Sequence, residues 1–524
     1  MLTDLVTSPE RRAAFTTARH WDASTLPERL GRWATERPDR LAVVDDRGVR
    51  RTFRELQDDT VALARRLLEL GVAPGDVVSV QMPNRCETAT AALAVLGVGA
   101  VLNPLLPNYR GRELAHAFRT ARPRVIVTPG RYRDFDHGAL VEEIVAASGV
   151  PVAHLVAGPD DDDGGPTASA RPVTLGRDAS AVSEVIFTSG TEATPKAIMH
   201  TEQTTNFSVR AAVHDLGLGD DDVVWMPSPV GHSTGFNYGL RLAVYQGLPL
   251  VLQDRWDPGT AAALVDEHRC SYTLTATTFL HDLVQHCQAA DRRLDSLRFF
   301  GCGGAPVPPG LVTLAAASGI RVLRLYGSTE VLVATWCRPD APLHERMHTD
   351  GRPMSHLEVE LRDGELFTRG PNTCVGFFAD PERTASTFHD GWVASGDLVE
   401  MDERANVTVV GRKKEIIIRG GMNIAPREIE DMIAAFEEVD RVAVVGLPDP
   451  RLGERMCACV VLRGGASLDL ATCVDRLRGA GLATYKLPQA LEVLPALPTT
   501  ASGKVQKHEI LRTLAERGAP RPEG

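Results

Sequence analysis

Apolar positions along the first half of the chain alternate between two periods. From Thr52, the stretch TFRELQDDTVALARRLLELG places apolar residues every three to four positions and stops at Gly71, which predicts an amphipathic helix. Thr52 and Glu55 stand at capping-box spacing, so the helix should begin there. Residues 76–80 (DVVSV) read as a buried strand, residues 89–96 as a further helix, and Val125-Ile126-Val127 as a second strand. Val185-Ile186-Phe187 reads as a strand running into a Ser/Gly/Thr loop. This rhythm predicts βαβ units and a parallel, doubly wound sheet. From Leu357 the pattern changes to short strands and tight turns, in LEVELRDGELFTRG and NVTVVGRKK. After Lys414 it alternates again, with a strand, a helix from Pro426 and a strand over 442–445. The expected architecture is therefore α/β. Residues 1–412 should form a large N-terminal domain of doubly wound α/β subdomains plus a β-rich section, and residues 413–524 a small, mobile C-terminal α+β domain. No internal repeat is visible.

Composition narrows the class. A chain of 524 residues exceeds one typical core, and 43% hydrophobic with 24% charged residues is the balance of a globular protein. A net charge of -11 argues against a broad surface for nucleic acid or anionic membrane, while leaving room for a local basic site. The apolar stretch over 91–102 contains Gly97 and Gly99 and is too short to span a bilayer. The N-terminus has no apolar core of a signal peptide. Nine scattered cysteines lack metal or redox spacing, Cys457 and Cys459 being one residue apart. Reduced thiols in a cytoplasmic protein are the expectation. Residues 158–171 form an acidic Pro/Gly/Ser-rich loop.

Charge type carries more information than net charge. Only six of the 57 basic residues are lysines, and five of those six fall in three short segments. Lys196 ends FTSGTEATPK, Lys413 and Lys414 lie in GRKKEIIIRGGMNI, and Lys504 and Lys507 close PTTASGKVQK. Lysine is a compact, movable point charge, unlike the planar guanidinium fork. The strand into Thr188-Ser189-Gly190-Thr191, closing at Lys196, suits a phosphate: small residues expose backbone N–H groups, hydroxyls add donors, and the ammonium completes the charge. It lacks the Gly-Lys-Ser/Thr of a Walker A loop.

With YGSTE (326–330), GWVASGD (391–397), GRKKEIIIRGGMNI (411–424) and PTTASGK (498–504), the chain resembles the adenylate-forming superfamily of acyl-CoA synthetases, adenylation domains and beetle luciferase. The motifs occur in the family's order over most of the chain, with bacterial carboxylic acid–CoA ligases the most similar branch. The resemblance implies ATP, Mg²⁺ and coenzyme A as cofactors. It assigns ATP/AMP binding to Thr188, Ser189, Gly190, Thr191, Lys196, Gly303, Gly304, Ala305, Tyr326, Gly327, Ser328, Thr329, Asp397 and Arg412, with Tyr326 against adenine and Asp397 and Arg412 on the ribose. Glu330 would hold the metal. Lys504 would be the catalytic cation, with Thr329 and His232 also at the reaction centre. His232, Gly235, Phe236 and Gly303 would form the acyl pocket. Lys414 would be the hinge, and Gly420 and Gly421 would flank the thiol channel. Lys413 has no assigned role, and Lys486 and Lys507 are expected to be plain surface lysines.

The implied activity is ligation of a small carboxylic acid to CoA through acyl-AMP and pyrophosphate. Two alternatives keep the adenylation: loading of a carrier protein, and activation of nitrite for aryl-amine diazotisation. A catalytically silent binding protein is a third, and intact Lys504, Asp397 and Glu330 speak against it. The phosphate loop departs from the family pattern at Glu192, Ala193 and Ala197, and Phe378 stands where tyrosine is common. His344-Glu345-Arg346-Met347-His348 matches H-E-x-x-H, but prolines before it and Thr-Asp-Gly-Arg-Pro after it leave no long helix to carry a zinc site. Neither nucleic acid nor a membrane span is expected as a partner.

Overall fold

A computed structural model describes residues 6–158, 175–176, 178–188, 196–419, 422–500 and 504–517, without the side chains of Arg112 and Asn423. The amphipathic pattern after Thr52 becomes the helix Phe53–Glu69, capped by the reciprocal Thr52/Glu55 bonds foreseen from their spacing. Residues 89–96 lie within the helix Cys86–Gly97, which is buried on almost every face. Its surroundings explain the absence of a polar stripe. The helix contacts Val77–Gln81 and Val101–Leu105 of one sheet and Leu41–Asp45 of another.

The first of these sheets has six strands, in the order Ala197–Thr201, Val182–Phe187, Val101–Leu105, Val77–Gln81, Val125–Thr128, Ala153–Val156. All neighbours are parallel except the first pair. The second has nine strands, with a parallel centre running from Val322–Ser328 through Phe299–Gly303, Tyr272–Thr275, Val224–Met226 and Leu250–Leu252 to Leu41–Asp45. Antiparallel strands finish both edges. Buried parallel strands need apolar residues on both faces, which is why these segments read as short continuous apolar runs.

The β-rich section is a five-stranded antiparallel sheet. Its first hairpin, Glu358–Arg362 with Glu365–Arg369, turns at Asp363 and Gly364, whose φ angles are +50° and +77°. Two consecutive left-handed residues match the strand twist, and an Asp-Gly pair tolerates them. The small C-terminal domain carries a sheet of Met422–Ile424, Ile417–Arg419, Gly453–Leu462, Val439–Asp449 and Ala490–Val493. Val439–Asp449 is longer than the 442–445 core expected, because a strand of equal reach pairs along it. Residues 158–171 fall almost wholly outside the described residues. All nine cysteines are buried free thiols. No helix among the described residues is long and apolar enough to cross a membrane.

The H-E-x-x-H segment forms a six-residue helix, Leu343–His348. The two histidine rings pack 4.7 Å apart while Glu345 turns inward, toward Arg352. The three side chains therefore do not converge on one point.

A buried charge cluster ties the layers together. The guanidinium of Arg241, on the π-helical turn Phe236–Arg241, donates to Glu184 of the six-stranded sheet and Glu202 of the helix Glu202–Leu216. Asn237 and Asn206 accept its remaining bonds at 3.0 and 2.8 Å. Breaking such a cluster strands two buried carboxylates, which costs about 3–5 kcal/mol. Arg241→Ala should lower urea-unfolding stability by that amount, and adding Glu184→Gln and Glu202→Gln should recover part of it. A loss under about 1 kcal/mol would show that the cluster is not a keystone.

Candidate active site

The C-terminal ends of the parallel strands open onto a cleft of about 840 Å³, closed on the other side by residues 412–417 and 504–511. Thr188 and Lys196 stand at the base of the phosphate-type loop. Thr188 N–H donates to the Lys196 carbonyl at 2.9 Å, and Lys196 N–H donates back to Thr188 Oγ1 at 3.3 Å. The antiparallel pair Val182–Phe187 and Ala197–Thr201 sets this closure. Ser189, Gly190, Thr191 and Glu192, which the sequence places at the loop tip, lie outside the described residues.

Gly303, Gly304 and Ala305 end a neighbouring strand and line the cleft. A Cβ on Gly303 would sit 2.4 Å from the Leu325 carbonyl oxygen, so the adjacent strand requires glycine there. Gly327 has the same need, its Cβ position lying 2.1 Å from the Leu332 oxygen. Gly327, Ser328, Thr329 and Glu330 form the turn from Val322–Ser328 into Leu332–Trp336 and all line the cleft. Glu330 lies 3.9 Å from Lys196 Nζ.

Asp397 and Arg412 face each other across antiparallel strands, with Arg412 Nε donating to Asp397 Oδ1 at 2.9 Å. Tyr326, expected against adenine, is largely buried. Its ring is only 8% exposed, does not line the cleft, and its hydroxyl donates to Asp397 Oδ2 at 2.6 Å. Gly235 and Phe236, expected in the acyl pocket, also lie behind its wall. Phe236 is fully buried with Arg241 over its ring, and a Cβ on Gly235 would clash with the Pro229 carbonyl. The Phe236–Arg241 turn drives these positions inward, and Tyr238, not Phe236, lines the cleft.

His232 caps the short helical turn Ser233–Gly235, its Nδ1 accepting the Thr234 N–H at 3.2 Å. That bond places the ring proton on Nε2. Burial, then the nearby Lys504 charge, pushes its pKa down to about 4. Lys504 enters from the C-terminal domain, its Cε 3.5 Å from the Cβ position of Gly304. Thr500 N–H donates to the Lys504 carbonyl at 2.7 Å, and Lys504 N–H to Thr500 Oγ1 at 3.1 Å. Burial lowers its pKa, and the Arg412 charge adds to this, against Asp397 and Glu330.

The remaining lysines are more engaged than expected. Lys414 lines the cleft. Lys413 pairs with the buried Glu365 at 2.8 Å. Lys507 is not a plain surface lysine: it bridges Glu415 and Glu430 at 3.0 and 2.8 Å. Lys486 pairs with Glu428. Gly420 and Gly421 lie outside the described residues. One residue escaped the sequence reading altogether. His200, buried on Ala197–Thr201, contacts the Thr329 carbonyl through Nε2 at 2.7 Å and Thr204 Oγ1 through Nδ1 at 3.0 Å. A single histidine in an apolar strand gave no signal of this.

The base of a phosphate-type loop, a carboxylate turn and an inserted lysine around one cleft define an adenylate-forming ligase. The chain belongs to the AMP-binding enzyme family, which it matches over residues 30–378, with the family's C-terminal domain over 428–504. It is 35% identical to the medium-chain fatty-acid–CoA ligase of Escherichia coli (strain K12), over 99% of this chain and 95% of that one. It is 34% identical to the 2-hydroxy-7-methoxy-5-methyl-1-naphthoate–CoA ligase of Streptomyces carzinostaticus, over 96% of each. Among solved structures, ATP-bound MatB from Rhodopseudomonas palustris superposes with a TM-score of 0.84 at 27% identity, covering 95% of this chain and all of that one.

The lowered Lys504 pKa has a direct consequence. Its cation is present below that pKa and lost above it, so adenylation should fall on an alkaline limb lying below the 10.5 of an ordinary lysine. Lys504→Arg should displace that limb upward. A limb unmoved in Lys504→Arg would assign it elsewhere.

Proposed function

We propose that the cleft binds magnesium–ATP and a carboxylic acid, joins them as acyl-AMP with release of pyrophosphate, and then transfers the acyl group to coenzyme A. The observation that carries this reading is the insertion of Lys504 beside Gly304, in one cleft with Lys196, Glu330 and the Asp397–Arg412 pair. In the first step a carboxylate oxygen attacks the α-phosphorus as the bond to pyrophosphate breaks. Two anions must approach, so cations fixed in a partly dry cleft supply much of the rate. Lys504 stabilises charge at the attacked phosphate. Lys196 and the loop above Thr188 receive the departing pyrophosphate. Thr329 donates to the α-phosphate, held in place by the His200 contact with its carbonyl. Asp397 and Arg412 take the ribose hydroxyls.

Mg²⁺, when bound, would be held by Glu330 and would neutralise phosphate charge. Glu330 offers one hard oxygen ligand in the cleft, which fits an ion that takes most of its shell from phosphate oxygens and water. His232, neutral and with its proton on Nε2, orients the acid as a donor and does not serve as its base. In the second step the thiolate attacks the acyl carbon and AMP leaves. Residues 1–412 and 413–524 are the two moving bodies, Lys414 is the hinge, and Gly420 and Gly421 border the thiol's path.

A second cavity favours CoA over a carrier protein. It measures about 550 Å³ and is lined by Arg119, Arg122, Arg383 and His116, against Lys196 and Ala197. Coenzyme A carries a nucleotide with three phosphates, and a carrier's pantetheine arm does not. Arginine forks suit such oxyanions.

Lys504→Ala should reduce acid-dependent pyrophosphate release by about 100-fold or more while leaving ATP binding intact. An unaffected rate would remove it from the mechanism. Charge reversal at Arg119 and Arg122 should raise KM for CoA roughly tenfold and leave pantetheine turnover unchanged. AMP formation without any acyl-CoA would favour the carrier or nitrite alternatives. Lys414→Pro should slow thioester formation far more than adenylation, and equal losses would count against the hinge.

A further inference from the structure

The segments that line the cleft differ in charge. Among the described residues, every ionised side chain that lines it comes from Lys196, Glu330, Glu365, Arg383, Asp397 or the segments 412–415, 454 and 504–508. The lining contributed by 228–238, 274–279 and 332–333 carries, among the described residues, no titratable group besides His232 and Tyr238, and Lys504 meets its border at Gly304. The Tyr238 hydroxyl is already committed, to Ser208 at 2.6 Å and to the Val333 N–H at 2.8 Å. Leu274, Phe279, Leu332 and Val333 give this lining apolar walls. Buried in the same wall, the hydroxyls of Ser228 and Thr275 lie 2.6 Å apart. One hydrogen joins that pair, so a second hydroxyl hydrogen and several lone pairs remain to meet a ligand.

Resting on the adenylation reading above, we propose the substrate class of this site: a compact acid whose only charge is the carboxylate it activates, carrying one neutral hydroxyl or carbonyl substituent that meets the Ser228–Thr275 pair. A second carboxylate or an ammonium on the acyl body would be desolvated against apolar walls with no counter-charge, and the site would reject it. A substituent that satisfies the hydroxyl pair is selected, because a built hydrogen-bonding position discriminates strongly against an analogue that leaves it unmade. The same chemistry separates this site from one for dicarboxylates or amino acids. The carboxylate itself stays where the charged and uncharged linings meet, between the His232 Nε2–H and Lys504.

The test is acid-dependent ATP–pyrophosphate exchange on the full chain with matched acids. Benzoate, its three monohydroxy isomers, phthalate, terephthalate and 4-(aminomethyl)benzoate form one set. Cyclohexanecarboxylate, a ketocyclohexanecarboxylate and cyclohexane-1,4-dicarboxylate form a second. We expect kcat/KM for doubly charged or zwitterionic acids at least about 100-fold below their neutral counterparts. We expect one hydroxyl or keto isomer to exceed its unsubstituted parent by about tenfold. Thr275→Val, and separately Ser228→Ala, should erase that advantage while leaving exchange with the unsubstituted acid within about twofold. Comparable rates for charged and neutral acids would overturn the assignment of a neutral site. An advantage retained in both variants would overturn the role of the hydroxyl pair. Exchange with no acid at all, in a protein that still binds ATP, would overturn the adenylation reading and this class with it.

Discussion

The geometry of the acid end depends on one buried cation. Arg241 has no exposed surface, and its partners come from a strand, a helix and its own π-helical turn. A guanidinium in that position needs partners in its own plane to offset desolvation, and four bonds, to Asn237, Glu202, Asn206 and Glu184, supply them. Meeting that demand fixes where Glu184, Glu202 and Asn206 stand, and hence how the six-stranded sheet sits against the segment leaving Val224–Met226. Arg241 closes the π-helical turn Phe236–Arg241, in which Phe236 is buried and Tyr238 lines the cleft. The same turn thus carries both the buried charge and part of the wall of the candidate acid pocket.

The nucleotide end is organised by backbone proximity. Gly303 and Gly327 leave no room for a Cβ because strands ending at the same level must let their carbonyls pass closely. That crowding puts the turn 327–330 beside the base of the loop at Thr188 and Lys196. His200 then holds the Thr329 carbonyl from below, while the Cys374 N–H holds the Glu330 carbonyl at 2.7 Å. The hydroxyl and carboxylate that would meet phosphate and magnesium are positioned by bonds to their own main chain. Both residues line the cleft, with the Glu330 carboxylate 3.9 Å from the Lys196 ammonium.

Much of this was legible in the residues, and the failures have identifiable causes. The capped helix after Thr52, the switch to hairpins after Leu357 and the Asp-Gly turn follow from local chemistry, so local patterns disclosed them. The helix Cys86–Gly97 showed as an apolar stretch because it is covered by two sheets. Residues at tight glycine positions and at the Asp397–Arg412 register fell in the expected cleft, since motif order fixes strand ends. Gly235, Phe236 and Tyr326 did not. Gly235 packs against the Pro229 carbonyl, Phe236 turns inward on a π-helical turn, and Tyr326 is held by a hydrogen bond to Asp397, contacts that local sequence does not reveal. His200 and the Ser228–Thr275 pair were invisible for the same reason: each matters through a contact, not a spacing.

The six lysines show why scarcity alone was an incomplete guide. Glu365 and Glu428, by hydrogen bonding, raise the pKa values of Lys413 and Lys486. Burial works against the charge of Lys507, but Glu430 and Glu415 more than offset it and its pKa is raised as well. These three are held as permanent cations by partners within the protein, which is how structural lysines are stabilised. Lys504 runs the other way: burial and the Arg412 charge lower its pKa, and Asp397 and Glu330 compensate only in part. Burial and a neighbouring cation disfavour the charged form of Lys504, so an anion beside it would favour that form. An anionic ligand entering between Gly304 and Arg412 would supply what Glu365, Glu428 and the Glu415–Glu430 pair supply elsewhere, and binding would then raise the Lys504 pKa toward that of its paired counterparts. Lys413, Lys486 and Lys507 meet carboxylates of the protein itself, whereas Lys504 faces the cleft with its charge only partly offset, and the proposed contact with phosphate rests on that difference.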